Sequence, residues 1–332
     1  ESYILEDEDL LMSHINSMQY LGRTVLYKKQ DDEIIIHGMN LLRLRANRDI
    51  IIPGYAKYYF YGHSLKSQLR NIMKKSVNQA SFAVKDLKKI KMEIPCLREQ
   101  QKLVQVLDKI QKIIDVKTKE IAKFDELVSA RFVEMFGDPI TNSKLLPIEK
   151  IEERYFLKAG ITTKAEDIHD YLKDKYEIPC YGGNGIRGYV ENLSYEGCYP
   201  IIGRQGALCG NVQYATGKFH ATEHAVLVSI LKNDNTMWVY YMLKLMDLYR
   251  YHTGAAQPGL AVKKLNTIDV IVADINLQNQ FATFVHQVNK SKFVIHKFLY
   301  CTTHNTKSII KPRLNTKESG KIRGGKPHAD EF

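Results

Sequence analysis

No apolar run in the sequence approaches the length of a membrane-spanning helix, and no leader-like apolar segment follows Glu1. No membrane-spanning helix is therefore expected in this sequence. Cysteine is scarce: 5 in 332 residues, an odd number without the spacing of a disulfide framework. A reduced, cytoplasmic protein is expected. Catalytic signatures are missing too. An amino-methyltransferase acting on DNA needs a glycine-rich cofactor loop and an Asn/Asp-Pro-Pro-aromatic tetrapeptide, and neither occurs. A nuclease needs clustered acids with a lysine close by. Glu6, Asp7, Glu8 and Asp9 form an acidic run without that lysine, so a surface loop is expected. Gly182-Gly-Asn-Gly185 could cradle a phosphate through backbone amides. It lacks the lysine and the helix start of a nucleotide loop, so it reads as a β-turn, one that could still touch nucleic acid.

What is present is ordinary in bulk and unusual in charge. At 44% hydrophobic and 26% charged residues, the composition is that of a soluble globular chain, and its length suffices for two or three domains with real cores. The net charge is +11 and the pI about 9.2. That favours a polyanionic partner, nucleic acid above all, with an anionic membrane surface as the alternative.

The most ordered stretch is a heptad ladder. Leu103, Leu107, Ile110, Ile114, Ile121, Phe124, Val128 and Met135 follow steps of four and three, broken only at Lys117 and Arg131. Such spacing predicts one helix from about Glu99 to Phe136, roughly 55 Å long, whose apolar stripe demands a partner helix. A second ladder supplies it: Phe281, Val285, Val288, Ile295 and Leu299, interrupted at Lys292. Around the ladders, short strands are expected within 9–17, 21–27 and 34–44, with a turn at Gly38. A helix opening at Pro53 is expected over 53–69, and a strand over 90–94. From Pro147 to Leu231 many short strands joined by glycine turns predict a curved β-rich core. A helix over 238–248 and a strand over 268–272 follow.

The order of events occurs twice. Gln257 follows Gln79 at an offset of 257 − 79 = 178 residues. At the same shift Val84 meets Val262, Leu87 meets Leu265, Ile90 meets Ile268, Ile94 meets Val272 and Gln100 meets Gln278. Leu103, Val106, Leu107 and Ile110 meet Phe281, Phe284, Val285 and Val288. Register held from loop through strand to helix marks a tandem duplication. Pro147 precedes Gln257 by 257 − 147 = 110 residues, whereas 78 precede Gln79, a difference of 110 − 78 = 32. The first module is thus expected to lack an N-terminal segment of about that size.

Taken together, these motifs resemble the specificity subunit of a Type I restriction–modification system. In the first copy the resemblance rests on the Ser76-Val-Asn-Gln-Ala-Ser-Phe82 loop, Ile94-Pro-Cys-Leu-Arg-Glu-Gln100 at the helix entrance and Met135-Phe-Gly-Asp-Pro139 at its end. In the second it rests on Tyr181-Gly-Gly-Asn-Gly-Ile-Arg-Gly-Tyr189, Ile202-Gly-Arg-Gln-Gly206, Gly254-Ala-Ala-Gln-Pro258 and Leu277-Gln-Asn-Gln-Phe-Ala282. One departure is Ala273-Asp274, where the family usually has proline. The resemblance implies an α/β (α+β) protein. Two target-recognition domains of short strands and helices would be separated by two long helices packed as an antiparallel coiled coil. Residues 1–96 would form the first domain, N-terminally incomplete, and 97–138 the first spacer helix. Residues 139–275 would form the second domain, 276–311 the second helix and 312–332 a disordered basic tail carrying Lys317, Lys321, Arg323 and Lys326. It also implies a non-catalytic subunit that binds a bipartite target in double-stranded DNA and recruits two methyltransferase subunits and restriction/translocase subunits. Those partners, not this chain, would bind S-adenosylmethionine, ATP and magnesium. The competing reading is a stand-alone DNA-binding or coiled-coil assembly protein.

Candidate residues follow. Arg23, Arg43, Arg187 and Arg204 are of the type that reaches guanine edges or phosphates, although any one arginine is more commonly just solvated. The rim of the second module, with Asn184, Arg187, Arg204 and Gln205 near glycine turns, is the favoured DNA face. The helix-pair interface is assigned to Leu103, Leu107, Ile110, Ile114, Ile121, Phe124 and Val128 against Phe281, Val285, Val288, Ile295 and Leu299. Cys198, Cys209, His220 and His224 invite a zinc reading. The two cysteines lie too far apart in sequence for a zinc ligand pair, so these are expected to be core or strand residues and no metal is assigned.

Overall fold

A computed structural model describes residues 3–76, 79–92, 94–172, 175–254 and 257–309. The chain divides into two units, one made of residues 1–119 with the chain from 295 onward, the other of residues 120–294. Val77, Asn78, Ala255 and Ala256 of the two repeated loops, and the basic tail from 312, lie outside the described residues.

The first unit opens with β1 (Leu10–Ser13), β2 (Ile15–Asn16), β3 (Thr24–Leu26) and β4 (Leu41–Leu44). β1 is the middle of a three-stranded antiparallel sheet, with Met12 opposite Thr24 on β3 and Leu42 on β4. Strand alternation sends Leu10 and Met12 into the core and leaves Leu11, Val25 and Arg43 together on the other face. The predicted strand at 34–36 is reduced to one bridge, Ile36 to Ile4. The helix predicted over 53–69 is two helices, α1 (Pro53–Tyr61) and α2 (His63–Ile72), because Gly62 between them is extended at φ −67°, ψ 159°. Tyr55, Ala56, Tyr59, Leu65 and Leu69 from these helices pack on Leu10 and Met12. β5 (Lys74–Lys75) and β6 (Ala80–Ser81) form a small sheet with β2, and α3 (Val84–Leu87) follows. No strand forms over 90–94 among the described residues. The acidic run is not a surface loop throughout. Asp9 is buried, and it accepts from Arg45 Nε and Nη2 at 2.8 and 2.9 Å and from the Glu6 amide. Burial raises its pKa, but the Arg45 contacts prevail and hold the carboxyl below the usual range.

α4 (Leu97–Phe136) supplies residues to both units. In the first, Leu103 and Val104 lie against the core and Leu107 is buried, while Ile110 and Ile114 are half-buried between exposed neighbours.

The second unit contains β7 (Ile148–Lys150), α5 (Ile151–Arg154), β8 (Tyr155–Ala159), β9 (Ile178–Gly182), β10 (Gly185–Val190), β11 (Tyr195–Gly203), β12 (Val212–Ala221) and β13 (Ala225–Ile230). α6 (Thr236–Leu245), α7 (Val262–Asn266), β14 (Asp269–Ile271) and α8 (Ile275–Ile309) complete it, the last running on into the first unit. Six strands form one sheet in the order β10-β9-β12-β11-β13-β8, antiparallel except for β12 beside β9. β14 pairs with β7. Trp238 on α6 sits at the centre of the core, stacked on Phe132 with ring centroids 6.2 Å apart. Phe281 packs edge to face on Phe132 and Phe136 at 5.4 and 5.8 Å, and Phe132 and Phe136 are tilted against each other at 5.1 Å. α4 and α8 are antiparallel here: Phe132 meets Phe281, and Asp125 meets Lys292 at 2.6 Å. Lys292, an interruption in the sequence ladder, thus makes a cross-helix ion pair. The aromatic end of the stripe has also moved. Phe132 and Phe136 are fully buried, whereas Met135, on the strict heptad, is only partly so. Val128, Phe281, Val285 and Val288 belong to this core, and Phe124 packs against it. Ile121 and Leu299 are half-buried and Ile295 is buried.

The duplication runs deeper than the sequence match. Gln100 and Gln278 are both fully buried. Gln100 accepts from the Ile52 amide at 2.8 Å and donates to the Pro95 and Ile50 carbonyls. Gln278 accepts from the Asn235 amide at 2.8 Å and donates to the Ala273 carbonyl and to Asp234. Ile52 and Asn235 are the N-caps of α1 and α6. Each glutamine therefore ties the start of a long helix to the start of the core helix beside it, satisfying groups that burial would otherwise leave unpaired. Central strands correspond as well. Ser13 donates to the Arg23 carbonyl and Gly203 to the Asn211 carbonyl, both at 2.8 Å. Gly22 returns to Ser13 and Gly210 to Gly203, both at 2.7 Å. Gly22 and Gly210 have φ of +75° and +84°, and a Cβ on either would come within 2.5 Å of a neighbouring atom.

Candidate nucleic-acid interface

The glycine segment read as a turn links β9 to β10 in a hairpin with a bulge between Ile186 and Gly188. Glycine is required where this hairpin crosses β11: a Cβ on Gly203 would sit 2.1 Å from the Gly183 carbonyl oxygen. That approach brings Asn184, Arg204 and Gln205 to one end of the sheet. The Asn184 side-chain oxygen accepts from the Asn211 side-chain amide. Arg204 is clamped by its backbone, its amide donating to the His224 carbonyl at 3.1 Å and its carbonyl accepting from Leu260 at 2.8 Å. Gln205 pairs with Gly259 and is exposed. Arg187 is exposed on β10. Its charge opposes the effect of burial on Cys180, whose thiol burial pushes up to about 11.

In the first unit Arg23 is exposed at the entrance to β3, its guanidinium 4.4 Å from the centre of the Tyr20 ring. Arg43 is half-buried and donates to the Ile4 carbonyl at 2.7 Å. The chain's arginines thus divide. Arg45 and Arg154 are engaged by carboxylates on several nitrogens. Arg187 and Arg204 make no side-chain hydrogen bond or ion pair with another described residue.

Among the described residues, no group of three or more His, Cys, Asp and Glu side chains could hold a metal ion. Cys198 is exposed, Cys209 lies in the second core, and His224 faces Glu223 at 3.3 Å. His220 is buried between the Thr163 and Ser194 hydroxyls. Burial holds its pKa below the usual histidine value, with Glu223 opposing. A depressed histidine pKa means that the unfolded chain binds the extra proton first. The resulting stability is present above the unfolded value of about 6.5 and is lost as pH falls through it toward the folded value. Denaturation followed by Trp238 fluorescence should therefore show a midpoint lower at about pH 5 than at about pH 7. H220N should shrink that difference, and an unchanged pH dependence in H220N would remove His220 as its source.

Among the described residues, no helix is long and apolar enough to cross a membrane. With the geometry in view, comparison with known proteins places the chain. A family model described as "Type I restriction modification DNA specificity domain" matches residues 1–125 and 156–300. The chain belongs to that family. The EcoprrI specificity subunit of a Type I restriction enzyme from Escherichia coli is 35% identical over 249 residues, covering 68% of this chain and 59% of that protein. A putative MjaX specificity subunit from Methanocaldococcus jannaschii is 31% identical over 145 residues, covering 44% of this chain and 34% of that one. The chain thus spans less than two thirds of the length of either relative. The crystal structure of a Type I system S subunit from M. genitalium shares the fold, with a TM-score of 0.55 at 18% identity over 93% of this chain and 83% of that one. The mixed α/β architecture with long helices is therefore that of Type I specificity subunits.

Proposed function

We propose that this chain is the DNA-reading subunit of a Type I restriction–modification complex. It binds a bipartite duplex target, one half-site per unit, and carries no catalytic machinery of its own. Methyltransferase subunits, two in number, and restriction/translocase subunits dock on it, and those partners hold S-adenosylmethionine, ATP and magnesium. The observation that carries this reading is the family match to both halves of a chain whose two units share one hydrogen-bonding plan. The net charge of +11 supports a phosphate-rich partner.

In this reading the long helices set the gap between half-sites. Inserting one heptad after Thr118 keeps the apolar stripe in register and adds about 10 Å of helix, roughly three base pairs of duplex. A compensating heptad in α8 preserves the pairing. Mapping methylated sites in cells that carry the complete system with this variant should show a longer gap and unaltered half-sites. An unchanged gap at full activity would reduce the helices to connectors. A chain that co-purifies with no methyltransferase would favour the stand-alone DNA-binding or coiled-coil assembly alternative.

A further inference from the structure

The backbone of each unit presents three side chains from one frame at the end of its central strand. In the first, His14 follows β1, its amide donating to the Asn40 carbonyl at 3.1 Å and its carbonyl accepting from Phe82 at 3.2 Å. In the second, Arg204 follows β11, its amide donating to the His224 carbonyl at 3.1 Å and its carbonyl accepting from Leu260 at 2.8 Å. Phe82 and Leu260 stand at 260 − 82 = 178, the offset of the duplication. Arg23 and Asn211 accept from the residues just before His14 and Arg204. His14, Arg23 and Asn40 are thus the counterparts of Arg204, Asn211 and His224. Sequence alignment hides this, because the three offsets differ: 204 − 14 = 190, 211 − 23 = 188 and 224 − 40 = 184.

The backbones at these positions are held in place, and several of the side chains keep polar atoms uncommitted. Arg204 Nε, His14 Nδ1 and His224 Nδ1 are buried and have no hydrogen-bond partner among the described residues. Arg23 touches the ring of Tyr20, Asn40 is exposed, Asn211 donates to the Asn184 side-chain oxygen, and His224 Nε2 lies 3.3 Å from Glu223. A buried polar atom without a partner is uncommon in a finished core. The counterpart positions His14 and Arg204 each carry such an atom, and His224, bonded through its backbone to Arg204, carries a third; these point to side chains whose partner comes from outside. The donors differ between units while the frame does not. Arginine and asparagine match guanine and adenine edges in the major groove, and a rigid frame is what selective readout needs.

We propose that His14, Arg23 and Asn40 in the first unit, and Arg204, Asn211 and His224 in the second, are equivalent base-reading positions, one trio per half-site. The proposal rests on the DNA-reading function above. The two units would select different half-sites because one frame carries different donors.

The test uses the assembled complex and a library of DNA duplexes randomised across the target. Bound duplexes are sequenced for the wild type, R204K and H14Q, with circular-dichroism melting as the folding control. R204K keeps the charge and loses the bidentate fork. The expected result is that R204K changes the selected bases in one half-site only and H14Q changes them in the other only. Each should weaken binding to the wild-type sequence by about 10- to 100-fold. R204A and H14A, read in the same way, replace any variant whose melting shows misfolding. Unchanged consensus sequences in well-folded variants, or changes by both variants in the same half-site, would overturn the assignment and leave the DNA-reading function standing. No consensus for the wild type would overturn both.

Discussion

Replacing Asp234 with alanine is expected to destabilise the second unit by about 3–5 kcal/mol. The side chain is fully buried, and its oxygens accept from Arg154 Nε at 2.9 Å, Arg154 Nη2 at 2.8 Å, Gln278 at 2.7 Å and Tyr155 at 3.2 Å. Removing it leaves the Arg154 guanidinium, itself only 8% exposed, with Glu149 as its remaining carboxylate. A buried charge stripped of its closest, fully buried partner is far more costly than a missing surface pair. The matched control is D269A, which breaks the exposed pair with Lys150 and should cost under about 1 kcal/mol. Trp238 is the only tryptophan in the chain and lies in this core, so its fluorescence during urea unfolding reports the unit directly. Equal losses in the two variants would show that Asp234 is not the hub of this network.

Phe132→Ala should be comparably severe, about 3–5 kcal/mol, through lost burial and the cavity left among aromatic rings. Phe132 is fully buried and contacts Phe136, Trp238 and Phe281, so it joins the two long helices to the domain core at one point. The neighbouring V133A removes an exposed side chain and should change stability by no more than about 0.5 kcal/mol. The F132A variant should also shift Trp238 emission, because a stacked ring is lost. A melting curve indistinguishable from wild type would mean that the helix pair collapses around the gap without cost.

Several features were legible without coordinates because they are local. Helical periodicity is a property of neighbouring residues, so the ladders from Leu103 and from Phe281 could be read directly. So could Gln100 and Gln278, since the duplication is tightest where helix, strand and loop keep equal lengths. Other features depend on distant segments. Asp9 looked like one of four surface acids until the strands brought Arg45 onto it. Residues 90–94 alternate like a strand, but alternation does not supply a pairing partner. Phe132 and Phe136 fall off the strict heptad because the helix there turns its buried face to a sheet and to α6, not only to another helix.

By itself, the sequence determined that the chain is a duplicated, basic, mixed α/β protein with two long apolar-striped helices. These follow from composition, period and a constant offset, all of which survive without knowledge of contacts. Only the tertiary structure decided which polar side chains share the rim at the end of each central strand. His14 and Arg204 occupy one position in two frames, yet their offset is twelve residues greater than that of the glutamines, 190 against 178. Loops of unequal length erase register along the chain, while backbone hydrogen bonds between strands restore it in space.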